Sequence, residues 1–366
     1  VWGREEVELA GAGLDDPLQA RRQRPTERKV FSSWAHGRGR PSPRASVDCN
    51  RQVYVLAGQS NMVGHAKISV MERQLGFEGT RDWWERYRAN GSWAKLDDVY
   101  ISSLCNGKVR NGSLTVGFGG SEAEIGPELG FGHQISRHLG NISSSVIIKV
   151  AWGGKSLYKD FKSPSAKLPG EVFLDKELAE LRKRRTDASM DAYKAEYGVF
   201  YRKLVSRIKS TIQSLLPSSD DALTLAGFVW FQGYNDQFSD HAKNSYEENL
   251  IHFIHDLRRD LDSPKLPFVI GTMGIWGKKA KSNRIADAQR AVPKHGPFVG
   301  NVVAVDTAEF WDEQAEKAYK TWRQDFENWS RWGSDRPYHY LGSPLFFSKA
   351  GVAFADALVS LISQGG

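Results

Sequence analysis

Short apolar runs alternate with longer stretches of helical spacing from residue 52 to the end of the chain. Five runs, at 53–57, 146–151, 223–231, 267–271 and 302–305, are rich in β-branched and aromatic residues and too short for free-standing helices, so they read as buried strands. Residues 127–139 open on a proline and continue with Leu129, Ile135 and Leu139 at helical spacing. The stretch 171–216 is charged and then amphipathic, with Tyr201, Leu204, Val205, Ile208, Ile212 and Leu215 on one face; 246–261, 285–292 and 346–362 read as further helices. This alternation predicts one domain over 48–366, built on a mostly parallel five-stranded sheet covered on both faces. Two stretches break the pattern. Residues 65–125, rich in Gly and Trp, predict a long irregular connection beside one end of the sheet. Residues 1–47, rich in Arg, Pro, Gly and Ser without an apolar period, predict a disordered or loosely attached basic extension.

Charge changes this picture little. The formal charge is +7, but residues 1–47 hold nine Lys or Arg against six Asp or Glu, which leaves +4 for the rest. The basic arm lacks the aromatic interleaving of a nucleic-acid module and reads as a solvated tail, so no nucleic-acid partner is expected. Only Cys49 and Cys105 are present, which excludes a disulfide framework and a cysteine-based metal site but allows one bridge between them. No run reaches the roughly 18 consecutive apolar residues that would span a bilayer, so no membrane partner is expected. The chain opens on Val1 without a signal-peptide pattern, consistent with a missing or processed N-terminus. Asn-x-Ser sequons at Asn90, Asn111, Asn141 and Asn328 point weakly to a secreted or periplasmic protein, with a cytoplasmic one as the alternative.

Candidate chemistry concentrates just after the predicted strands. Gly58-Gln59-Ser60-Asn61 follows the first, Trp152-Gly153-Gly154-Lys155-Ser156 the second, and Gln232-Gly233-Tyr234-Asn235-Asp236 the third; Asp335-Arg336-Pro337-Tyr338-His339 lies in the final loop. In a parallel sheet the carboxyl ends share one edge, so these blocks can converge. A serine hydroxyl needs an imidazole to take its proton, and the imidazole needs an acceptor to orient it. Ser60 is the candidate nucleophile and His339 the base. Backbone N–H groups at Gly153 or Gly154, the Ser60 N–H and the Asn235 amide are candidate oxyanion donors.

These blocks resemble, in order, those of the SGNH hydrolase superfamily. Gly58-Gln59-Ser60-Asn61-Met62, Gly126-Pro127-Glu128, the Trp230 to Asp236 segment and Tyr338-His339-Tyr340 resemble its sialate O-acetylesterase and acetylxylan esterase group. The resemblance covers about 50–360. It implies a flavodoxin-like three-layer α/β/α sandwich and a serine esterase that removes O-acetyl groups from acetylated sugar, xylan or sialic acid, without metal or cofactor. It further implies Ser60, His339 and Asp335 as catalytic residues and Ser60, Gly154 and Asn235 as the oxyanion hole. Gln59, Gln232 and Trp152 are the candidate substrate contacts. The superfamily usually carries its Asp three residues before the His, where this chain has Arg336. Asp335, Asp306, Asp236 or a backbone carbonyl could therefore orient His339, with Asp335 placed first.

Other motifs fall away. Met62 replaces the second glycine of a Gly-x-Ser-x-Gly elbow. Lys149 stands where a phosphate-binding loop ending in Gly154-Lys155-Ser156 needs glycine. His252 and His255 share a helix face but lack a third metal ligand, and read as a surface helix. A lipid or short-chain esterase of the same superfamily, or a non-catalytic carbohydrate-binding relative, are the rival functions. Trp83, Trp84, Trp152, Tyr158, Trp276 and Trp311 near the predicted edge suit a sugar better than an acyl channel.

Overall fold

A computed structural model describes residues 51–140, 144–215, 223–280 and 283–365. The predicted 1–47 extension, Cys49 and the Asn141 sequon lie outside them; Cys105 is buried. A seven-stranded sheet is centred on β1 (Arg51–Gly58). Its other strands are β2 (Leu96–Cys105), β3 (Lys108–Leu114), β4 (Ser145–Ala151), β5 (Leu223–Phe231), β6 (Phe268–Gly271) and β7 (Val302–Val305), in the order β7-β6-β5-β1-β4-β2-β3. Every neighbouring pair runs parallel except the β2–β3 hairpin.

The five predicted strands are β1 and β4 to β7. The prediction of five falls two short because β2 and β3 lie in the stretch expected to be irregular. β3 is an edge strand whose Lys108, Arg110 and Asn111 meet solvent or half-exposed neighbours, so it carries no apolar run for the eye to find. α1 (Ser60–Val63) precedes this stretch, which also forms α2 (Ile68–Gln74) and α3 (Glu78–Glu85). The remaining helices are α4 (Pro127–Leu139), α5 (Glu171–Arg182), α6 (Met190–Ala195), α7 (Val199–Ser214), α8 (Asp240–Asp260), α9 (Arg284–Ala291), α10 (Glu313–Tyr319), α11 (Phe326–Trp332) and α12 (Pro344–Gly365). The long 171–216 prediction is thus three helices.

The period of two along β1 divides the core. Val53, Val55 and Ala57 pack with Tyr201, Leu204 and Ile208 of α7 and Leu250, Phe253 and Leu257 of α8. Tyr54 and Leu56 face the other layer, with Leu129, Phe131 and Ile135 of α4 and Phe346, Phe354 and Leu358 of α12. By length and composition α12 could cross a bilayer, yet its phenylalanines and Leu358 are fully buried against the sheet and α4, as in the core helix of a globular domain.

Register aligns the strand ends. Gly58 pairs with both Ala151 and Phe231, Gly271 with Phe231 and Val305, and Cys105 with Ala151, so six strands finish on one edge. The chain also reverses its direction of travel across the sheet at β1, which opens a crevice at that edge. Gly58 is required there because a Cβ would stand 2.1 Å from the Phe231 carbonyl oxygen.

Candidate active site

Ser60 leaves β1 as the first residue of α1, with Gln59 extended before it. The backbone N–H groups of Met62 and Val63 bond to the Gln59 carbonyl, which turns the chain sharply and lifts the serine to the sheet edge. Ser60 is nearly buried, at 8% exposure. The short helix is anchored from below. Lys149, fully buried on β4, donates to the Val63 carbonyl at 2.8 Å, the Phe118 carbonyl at 2.8 Å and Glu128 Oε2 at 2.6 Å. Glu128, also fully buried, accepts from the Gly126 N–H through Oε1 at 2.8 Å. All three ammonium protons thus find acceptors, which is the condition for a buried ion pair to be tolerated.

Gln59 and Gln232, expected as substrate contacts, are both buried and hydrogen-bonded within the protein. Gln59 is fully buried: its Nε2 donates to Asn235 Oδ1 at 3.1 Å and its Oε1 accepts from the Gly233 N–H at 3.0 Å and the Asn235 N–H at 3.4 Å. Because Asn235 Oδ1 accepts from Gln59, the Asn235 amide nitrogen remains as its donor end. Gln232, 2% exposed, spends its amide on Asp236 Oδ2 and the Lys155 carbonyl, while its oxygen accepts from the Tyr246 hydroxyl. Both glutamines position loops, and sequence cannot distinguish a buried amide from one facing a ligand.

Asp236 joins the two loops that carry the oxyanion candidates. It is fully buried and accepts from the Leu157 and Tyr158 N–H groups at 2.9 and 2.8 Å. Burial raises its carboxyl to about 6 against those donors and Gln232. Trp152 is 8% exposed and packs on Phe161 and Phe200, with its remaining surface lining a groove beside Leu104 and Val199. Gly153 donates to Asn106 Oδ1 at 2.8 Å, and a Cβ there would lie 3.8 Å from Ser60 Cβ, which places this loop against the serine. Gly154 takes φ +70°, with open space where a side chain would project. Asn106 was missed by sequence, although Asn106-Gly107 between two extended stretches is a strong hairpin signal.

His339 lies in the short helical turn Pro337–Gly342, which packs on α1. Its Nδ1 is 2.9 Å from Asp335 Oδ2, and Asp335 Oδ1 accepts from the Arg336 N–H at 2.7 Å. The turn brings the acid to the ring despite the four-residue spacing. Arg336 points elsewhere, over the Trp322 ring. The alternatives are occupied: Asp236 is committed as above, and Asp306 holds Arg290, Thr272 and the Ala308 N–H. Burial would raise the Asp335 carboxyl, but the His339 bond and charge, the Arg336 N–H and His65 together hold it below the ordinary carboxylate value. Burial lowers His339 below its ordinary 6.5, the positive charge of His65 acting the same way while Asp335 and Glu124 oppose.

His65 is the second residue that sequence missed. Its ring stacks on His339 with centroids 4.3 Å apart and planes 25° from parallel, and its Nδ1 is 3.9 Å from Glu124 Oε1. Ligating atoms of His65, Asp335 and His339 lie within 4.8 Å of one another. Face-stacked imidazoles aim their lone pairs along near-parallel planes rather than at a common point, so the group suits the handling of a proton better than the chelation of a metal.

Tyr340 and Leu341 follow His339 with φ +50° and +63°, a conformation costly for side chains of this size, at about 1–3 kcal/mol each. Packing holds it. The Tyr340 ring stacks on Phe346, and its hydroxyl accepts from the Gly274 N–H at 3.0 Å and meets Thr307 Oγ1 at 3.2 Å.

A parallel α/β sheet that brings Ser60, Gly153, Asn235 and His339 to one edge is the arrangement of SGNH-type hydrolases. The chain belongs to the family described as carbohydrate esterase, sialic acid-specific acetylesterase (SASA), whose model matches residues 50–321. It is therefore a carboxylic ester hydrolase. It is 23% identical over 280 residues to a protein of Arabidopsis thaliana described as a probable carbohydrate esterase, covering 74% of this chain and 84% of that one. Among solved structures, one from Arabidopsis thaliana aligns with TM-score 0.49 and 16% identity over 85% of this chain and 98% of that one. A carbohydrate acetylesterase from Xanthomonas citri aligns with TM-score 0.44 and 12% identity, over 83% of this chain and 55% of that one. NanS aligns with TM-score 0.41 and 16% identity, over 71% of this chain and 78% of that one.

Proposed function

We propose that the protein removes O-acetyl groups from carbohydrates through Ser60, His339 and Asp335. The observation that supports this reading most directly is the Asp335–His339 pair held at 2.9 Å on the segment that packs against the Ser60 turn. In this mechanism His339 takes the Ser60 proton as the hydroxyl oxygen attacks the acetyl carbonyl. The negative charge that develops on the carbonyl oxygen is met by the N–H groups of Ser60 and Gly154 and by the amide nitrogen of Asn235, each such donor contributing about 2.7–4 kcal/mol. His339 then protonates the departing sugar oxygen, and a water deprotonated by the same ring releases acetate from the acyl-serine.

The test is hydrolysis of 4-nitrophenyl acetate and butyrate, O-acetyl sialic acid and acetylated xylan by wild type, Ser60→Ala and His339→Ala. The expected result is preference for acetate and loss of activity in both variants. Preference for butyrate would favour a lipid or short-chain esterase. Inactivity on every ester with retained sugar binding would make the protein a binding relative.

A further inference from the structure

Most aromatic residues that the sequence places near the site are unusable by a ligand. Trp84 is fully buried with its indole N–H on Gln74, Trp152, Tyr158 and Trp311 are each less than a tenth exposed, and Trp83 donates to Ser348 on α12. A different set reaches the surface. The Tyr338 ring meets His339 edge-on at 4.5 Å, Tyr234 lies 5.6 Å from Tyr338, and Phe238 lies 5.2 Å from Tyr234. A second run leaves the same segment from Tyr340 through Trp311, at 6.2 Å, to Trp276, at 5.4 Å. Three of these rings are exposed, Tyr338 at 36%, Trp276 at 40% and Phe238 at 57%, with Tyr234 partly buried between Tyr338 and Phe238.

Two features mark these rings as more than scattered surface apolar residues. Both runs begin at the segment that carries His339, and Tyr234 adjoins the oxyanion candidate Asn235. Trp276 also holds φ +70°, a strained conformation for a bulky residue, and strain of this sort clusters at ligand clamps.

We propose that Tyr338, Tyr234 and Phe238, with Trp276 on the second run, form the surface on which the pyranose rings of a glycan chain lie beside the acetylated unit. This inference rests on the carbohydrate reading above. A pyranose presents a C–H face that stacks on an aromatic ring while its hydroxyls stay in water, which suits half-exposed rings. An acyl chain gains its binding energy by full removal from water, which open rings do not supply.

The test separates this surface from the catalytic reading. Phe238→Ala, Trp276→Ala and Tyr338→Ala, with Phe238→Tyr and Trp276→Phe as conservative variants, are compared with Val172→Ala, an exposed apolar residue outside both runs. The first readout is KM for acetylated xylohexaose and for 4-nitrophenyl butyrate, each relative to 4-nitrophenyl acetate. The second is binding of unacetylated xylohexaose to the same substitutions in a Ser60→Ala background. The expected result is a ratio and a dissociation constant that each rise about two- to tenfold per ring removed, retained by the conservative variants and unmoved by Val172→Ala. An unchanged ratio and unchanged binding overturn the surface and leave the esterase standing. Wild-type inactivity on all esters, with ring-dependent binding of xylohexaose, keeps the surface and overturns the esterase. A rise confined to KM for butyrate assigns the rings to an acyl group and overturns the proposal.

Discussion

His339 sits between two neighbours that pull its protonation in opposite directions. Asp335 favours the imidazolium, whereas stacked His65, when charged, disfavours it, and burial already holds the ring below 6.5. The neutral ring is the one that can act as base, so kcat/KM should hold its plateau at pH 7 and fall on the acid side with a midpoint below 6.5. Asp335→Asn removes a raising influence, so the midpoint should move to lower pH while the plateau falls by as much as about 10⁴-fold. His65→Gln removes a lowering influence, so the midpoint should move up. A pH–rate profile of the three proteins decides the matter, and a shift of both variants in one direction would contradict this account. Lys149 and Glu128 make a separate point at the same scale. Glu128→Gln or Lys149→Met alone leaves a buried charge without its partner and should cost about 3–5 kcal/mol in urea unfolding, whereas Lys149→Met with Glu128→Leu should cost less than either.

The hairpin of β2 and β3 shows how an element remote in sequence shapes the site. Asn106 has φ +50° within an Asn-Gly turn and receives the Gly153 N–H, so the turn sets how the Gly153–Gly154 loop lies against Ser60. Asn106→Gly keeps the turn conformation and removes the acceptor. The expected outcome is a thermal midpoint close to wild type with kcat lower by about ten- to a hundredfold, checked by calorimetry beside initial rates. This element also marks where sequence reading stops. β1 and β4 to β7 were legible as short apolar runs, most plainly β4 with all seven residues buried, and α4 was legible from Pro127 and its spacing. β2 and β3 were not, because Asp97, Asp98, Ser102 and Ser103 interrupt the first and half of the second, an edge strand, meets water. The order of the site blocks was legible for the same reason as the strands that carry them. The duties of Gln59 and Gln232, and the pairing of His65 with His339, depend on which way a side chain faces after folding, and residue type does not encode that.

At the scale of the whole molecule, no single segment contains the site. Ser60 and Gly153 follow strands before α5, Asn235 follows β5 after α7, and Asp335 and His339 lie in the segment before α12, with β1 paired to β4 on one side and β5 on the other. The halves meet along the hydrogen bonds of β1 with β5, the amide of Gln59 on Asn235, and the two N–H bonds into Asp236. The exposed turn 183–187 between α5 and α6 lies between them in the chain and contributes nothing to the edge.

A molecule joined in this way can be treated as two parts. Cleavage at 183–187 should give fragments that are each inert, one holding the nucleophile and the other the base, and that regain hydrolysis of 4-nitrophenyl acetate only on reassociation. Mixing the purified fragments and following activity against concentration would show it, with no recovery expected when Gln59→Ala and Asp236→Ala are combined. The seam beside β1 would then serve as a switch, reporting the encounter of any two proteins to which the halves were fused.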